Sequence, residues 1–189
     1  MLWRLHLRGV DVGERWQALA ERWAPIAGAG NYAFNDLHAM MAFVGAGRTR
    51  DQQAVLDAQR LAMQGSGDNV DFVGEVGHAA ALALQAFGAG DYAACVQRLR
   101  PIRSGAHRFG GSHAQRDVLS LTLIEAALRG NRSRLARELA AERTELKPSS
   151  PFNWMLTARS LDSLGDRPAA DKARAAAQSN RTAALQQAA

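Results

Sequence analysis

The chain has 189 residues, 47% of them hydrophobic and 22% charged, which are globular values and exclude wholesale disorder. Formal net charge is +5, yet only Lys147 and Lys172 are lysines and the other 21 basic residues are arginines spread among Asp and Glu. Basic residues that bind nucleic acid usually cluster on one face, so nucleic acid is set aside as a partner. No apolar run approaches the length of a membrane span, and the first residues lack the apolar core of a signal peptide. A cytoplasmic protein without a membrane segment is the expectation.

Leu2, Trp3, Leu5 and Leu7 form a short apolar helix ending at Gly9. Asp11 and Glu14 have the spacing of a capping box, in which each side chain satisfies a backbone N–H of the first turn. Trp16, Leu19, Ala20 and Trp23 follow at helical spacing, and Pro25 to Gly30 closes that helix. Next, Phe34, Leu37, Met41 and Val44 line one helix face up to Gly45. Thr49 and Gln52 give a second capping box for the helix through Val55, Leu56 and Leu61. After a loop over 64–69 come Leu82, Ala83, Ala86 and Phe87, then Tyr92, Cys95, Val96, Leu99 and Ile102 on a second stripe. Asp91 caps that second helix. Cys95, the only cysteine, reads as a small buried hydrophobe.

Ser112 and Gln115 form a third capping box ahead of Val118 to Leu128. Leu119, Leu121 and Leu123 alternate as in a strand, but the run is too long and is capped as a helix, so helix is predicted. Asn131 or Ser133 opens the partner helix, and Pro148 stops it. Ser150 and Pro151 start the last hairpin, whose final helix runs from Pro168 to about Gln178. Turn glycines Gly47, Gly90, Gly130 and Gly165 stand 43, 40 and 35 residues apart, a period that between paired helices means an α-solenoid. The predicted fold class is therefore all-α, an α-α superhelix. One repeat domain over 1–178 holds hairpins at about 1–29, 31–64, 71–103, 112–147 and 150–178, with a frayed tail over 179–189.

These hairpins resemble tetratricopeptide repeats. Gly90-Asp-Tyr-Ala-Ala-Cys95 is similar to that family's turn, and Trp154, Gly165-Asp166 and Ala170 fall at its spacing, whereas Gln52 and Leu135 stand where a small residue is expected. The longer strings Leu2–Trp16, Asn31–Arg48, Gly105–Leu128 and Ser150–Trp154 together resemble the tetratricopeptide repeat protein 38 family, in the C-terminal part of its longer members. The resemblance implies an irregular tetratricopeptide-like solenoid and no particular activity. It also implies that preceding repeats which would cover Leu2, Trp3, Leu5 and Trp16 are missing. Self-association through residues 1–25 is expected on that ground.

For function, His38, His78 and His113 all lie early in first helices and are expected to converge on one concave surface. Helical spacing sets His113 beside Asp117 and Asn35 beside His38. With Arg116 these residues make the candidate groove, which takes a protein or peptide partner and no cofactor. The alternative is an enzyme or metal-binding protein built on the same His/Asp cluster, although no zinc-binding spacing and no catalytic triad spacing is present, and no catalytic or metal-ligating residue is assigned. Gly105–Gly111 precedes a helix start as a phosphate loop would, but it lacks the lysine and follows a helix. Arg108 and Phe109 are expected to fasten that loop to the adjacent hairpin.

Overall fold

The computed structural model describes residues 1–187, and among these every regular element is a helix, with no strand. The helices are α1 (Leu2–Leu7), α2 (Arg15–Trp23), α3 (Ala33–Gly45), α4 (Thr49–Ala62), α5 (Asp68–Phe72), α6 (His78–Gly88), α7 (Tyr92–Ile102), α8 (His113–Arg129), α9 (Ser133–Leu146), α10 (Pro151–Asp162) and α11 (Arg167–Gln187). A π-helical turn over Val73–Gly77 joins α5 to α6, so the helix of the central hairpin starts earlier than its apolar stripe suggests. Among the described residues no helix is long and apolar enough to cross a membrane.

The chain forms two compact units, Met1–Ala126 and the remainder from Ala127 onward. In the first, α3 is apolar on nearly every side and buries Leu37, Met40, Met41 and Phe43 against α2, α4 and α6. A helix of this kind belongs in a core instead of on a surface. Close approach needs small residues. The Trp16 indole lies where a side chain on Gly45 would stand, and Val44 fills the equivalent space at Gly88. The α6–α7 hairpin buries Ala83, Phe87, Cys95, Val96 and Leu99 as its stripes predict, while Leu84 is buried off the predicted stripe and Leu82 and Ala86 are half-buried. Burial pushes the Cys95 thiol up to about 12, with Asp91 adding to the effect, so it stays a protonated packing group.

Caps separate what spacing can and cannot settle. Asp91 accepts from Ala94 N at 2.9 Å, Ser112 and Gln115 form the reciprocal box at 3.3 and 2.8 Å, and Ser150 accepts from Asn153 N at 3.3 Å. The other two boxes do not form. Asp11 accepts from Gly13 N instead, and α2 begins at Arg15 with no side-chain cap. At α4 the cap falls on Arg48, one residue before Thr49. Gln52 is then turned inward, buried, and donates to Phe43 O at 3.2 Å. Asn131, which takes φ 55, and Arg132 precede α9, which starts at Ser133.

The start of α3 also lacks a local cap. Asn69 supplies it from outside, accepting from Ala33 N at 3.1 Å and donating to Gly30 O at 2.9 Å. In the second unit α10 packs on both α9 and α11. Asn153 is buried there and donates to Arg143 O at 2.9 Å. Helix α11 continues past the expected stop at about Gln178 to Gln187. Its alanines favour helix, and Asn180 ties it down by donating to Pro148 O at 3.1 Å. Residues 188–189 of the expected tail lie outside the described residues.

Replacing Gly45 by Ala drives a methyl group into the Trp16 ring and should cost about 1–3 kcal/mol in urea unfolding, with altered tryptophan emission. Asn69→Ala should cost about 1 kcal/mol or more by removing the external cap. An unchanged unfolding midpoint in both variants would contradict this account of α3.

Candidate functional site

The helix α1 decides what the face of the first unit looks like. Its Trp3 is buried, and the indole Nε1 donates at 2.9 Å to the Thr122 hydroxyl of α8. Thr122 donates in turn to Val118 O at 2.7 Å, so its one hydroxyl is used in both directions. The Trp3 ring packs on Phe87 of α6 with centroids 5.7 Å apart, and edge-on to Trp16 at 6.4 Å. Beside it Arg4 makes an ion pair with Asp117 at 3.0 Å and donates to Ala114 O at 2.5 Å. Leu7 is buried at the other end of the same helix. The expectation that Trp3 and Trp16 stand uncovered is therefore wrong: they are 3% and 8% exposed, Trp3 against Phe87 and Thr122, and Trp16 against Trp3, His6 and Gly45.

Two of the predicted groove residues share the first turn of α8 with Asp117. Arg116 donates to the carbonyls of Gly110 (3.2 Å) and Gly111, and its Nη2 lies 3.4 Å from His113 Nδ1. The guanidinium thus holds the loop before α8. That loop seats Phe109, fully buried, 5.9 Å from Phe34, and Arg108 pairs with Glu75 at 2.5 Å. Gly110 and Gly111, both at positive φ, lie against the rings of Tyr32 and Phe34, where any side chain would collide.

His38 is on the same side of α3 as Phe34, its ring tilted against the phenyl ring with centroids 4.4 Å apart and bonded through Nδ1 to Phe34 O at 2.8 Å. A continuous strip of side chains therefore runs His38, Phe34, the Gly110–Gly111 loop, Arg116, His113. Asn35 is exposed and lines a small cavity of ≈ 100 Å³ with Tyr32, Asp36 and Ile26.

His78 is not part of that strip. Its Nδ1 lies 3.1 Å from Gln59 Oε1, and Gln59 Nε2 donates to Asp36 Oδ2 at 3.3 Å. Gln59 is wholly buried and Asp36 nearly so, which makes this a polar relay tying α3, α4 and α6 together. With Gln59 donating to the carboxylate, its oxygen is left to accept, which favours the His78 tautomer protonated at Nδ1. Burial raises the Asp36 carboxyl to about 6, partly offset by the Gln59 hydrogen bond. Burial, then the Arg60 and Arg98 guanidinium groups, lowers His78. Asp36 and Gln59 carry no periodic signal that marks them as polar core; both sit on stripes otherwise read as apolar or solvent-facing.

Among the described residues no three of His, Cys, Asp and Glu stand together as a metal site. Compared with known proteins, the chain matches no family model and no solved structure.

A carboxyl whose folded pKa exceeds 3.8 binds protons more tightly folded than unfolded, so the Asp36 contribution is fully present below about pH 4 and is lost as pH rises toward 6. Asp36→Asn should therefore stabilise the protein at pH 7–8 by about 1–3 kcal/mol, with the advantage vanishing below pH 4. His78, held below its usual value, acts in the opposite sense, its contribution fading as pH falls below 6.5. Denaturation across pH 3.5–8 checks both, and a variant no more stable than wild type at pH 8 would show that burial does not penalise the Asp36 charge.

Proposed function

We propose that this chain is a non-enzymatic, tetratricopeptide-like scaffold that holds a peptide or protein segment on the face formed by its first helices. The observation that carries the reading is the seating of α1: a helical segment already lies on that face, with Trp3 against Phe87 and Thr122 and Arg4 on Asp117. Helix-in-groove recognition uses the same parts, an aromatic anchor in a pocket and a charge pair that fixes register. The strip from His38 to His113 extends the face with aromatic and cationic groups. The resemblance to the tetratricopeptide repeat protein 38 family supports the same reading, as does the expectation of a cytoplasmic protein.

The histidines fit contact better than chemistry. His38 is bonded to its own helix, His78 is tied to Gln59, and His113 has a guanidinium beside it.

Selection of random peptides on the immobilised full chain should yield binders of roughly micromolar affinity, and Arg116→Ala with His38→Ala should weaken them about ten-fold or more, some 1.4 kcal/mol. Failure to retain any peptide, or binders indifferent to both substitutions, would remove the groove assignment.

A further inference from the structure

We infer that α1 is an internal ligand, and that the subsites it fills take a partner's short amphipathic helix carrying tryptophan followed directly by arginine. This rests on the scaffold reading and adds the ligand's chemistry and its competition with α1. Two subsites define that chemistry. The first is an aromatic slot formed by Phe87 and Trp16, in which the Thr122 hydroxyl is fully buried and placed to accept an indole N–H. A phenylalanine would leave that oxygen without its donor, and an aliphatic side chain would leave the slot part empty. The second is Asp117 with the Ala114 carbonyl, two acceptors that together match two guanidinium nitrogens. A lysine ammonium cannot span them in the same way. A third contact, Leu7, stands one turn beyond Arg4 at a further buried position.

Other features make α1 an occupant that can leave. It has six residues, far below the length at which a helix persists alone, so its helicity depends on docking. It joins α2 through Arg8–Glu14, a stretch exposed except at Val12. Gly9 at φ 71 and Gly13 at φ 55 lie within that stretch, with nothing packed where their side chains would stand. Asp117 and Thr122 belong to α8, more than a hundred residues away in sequence, so the two polar contacts that hold α1 reach across the fold. A tether this short holds α1 near its subsites at roughly millimolar effective concentration. An external segment then binds with an affinity reduced by the fraction of time the slot is open.

The test uses the full chain and a fluorescein-labelled copy of residues 2–9. The double variant Trp3→Ala/Arg4→Ala should bind this peptide at least ten-fold more tightly than wild type does. Adding Thr122→Val or Asp117→Asn should return the affinity to the wild-type level or below. In wild-type protein, hydrogen exchange with excess peptide should show the α1 amides losing protection while α3 and α6 keep theirs, a readout that stands if the double variant does not fold. Equal binding by wild type and a folded double variant, or no loss of α1 protection at saturating peptide, overturns the inference. So does a double variant that takes up library-selected peptides and ignores the α1 copy, and in that case the scaffold reading survives. Concentration-dependent dimers in which α1 is exchanged between copies would also overturn it, because the occupant would then be a second copy of this chain.

Discussion

How closely helices can approach α3 sets the geometry of the first unit. Its residues are apolar on nearly all sides, so α2, α4 and α6 must all reach it, and three neighbours around one helix leave little room for side chains at every crossing. The crossings are settled by small residues: Gly45 beneath the Trp16 ring, Gly88 beneath Val44, and Gly77 against Ala33. With those contacts made, the Trp16 and Phe87 rings both meet Trp3, and together they form the slot that it enters. The candidate site is thus a by-product of core packing, built from rings held by glycines.

The same packing explains the polar groups inside. A helix enclosed on several sides has no solvent face for the polar residues its sequence carries, and each needs a partner from a neighbour. Asp36 finds Gln59, Gln59 finds His78, Gln52 finds the Phe43 carbonyl, and the bare start of α3 finds Asn69. Each bond joins two elements and fixes their register as well as their distance. The Asp36 carboxyl opposes folding near neutral pH, and the register it helps to specify is offset by that instability. A polar group that costs stability while specifying one arrangement is a known trade in cores.

Much of this was legible in the sequence, and the boundary is instructive. Stripes such as Cys95, Val96, Leu99 and Ile102 gave burial directly, because their signal is local and periodic. The leucines at 119, 121 and 123 were resolved as helix by length and by the Ser112–Gln115 cap, which the structure forms. Capping boxes fail where a one-residue shift moves the cap, as at Arg48, or where glycine offers a turn instead, as at Gly13. Contacts between distant residues left no trace: nothing near Trp3 announces Thr122, and nothing near Gln59 announces both Asp36 and His78. Of the groove residues, spacing correctly set His113 and Asp117 one turn apart, but it could not show that Asp117 faces α1 while Arg116 faces the loop.

That division of labour within one turn of α8 bears on specificity. Arg116 is spent on carbonyls of Gly110 and Gly111, which holds the loop where Phe109 and Phe34 meet and keeps the strip to His38 continuous. Asp117 is the anionic group of this turn and faces the indole slot from the same helix as Thr122. A ligand that satisfied the slot alone would forgo the ion pair that Arg4 makes with Asp117, and one that satisfied Asp117 alone would leave the Thr122 oxygen without its indole donor. Because an unmet buried polar group costs more than a met one gains, the two subsites discriminate jointly against segments that carry tryptophan or arginine but not both at adjacent positions.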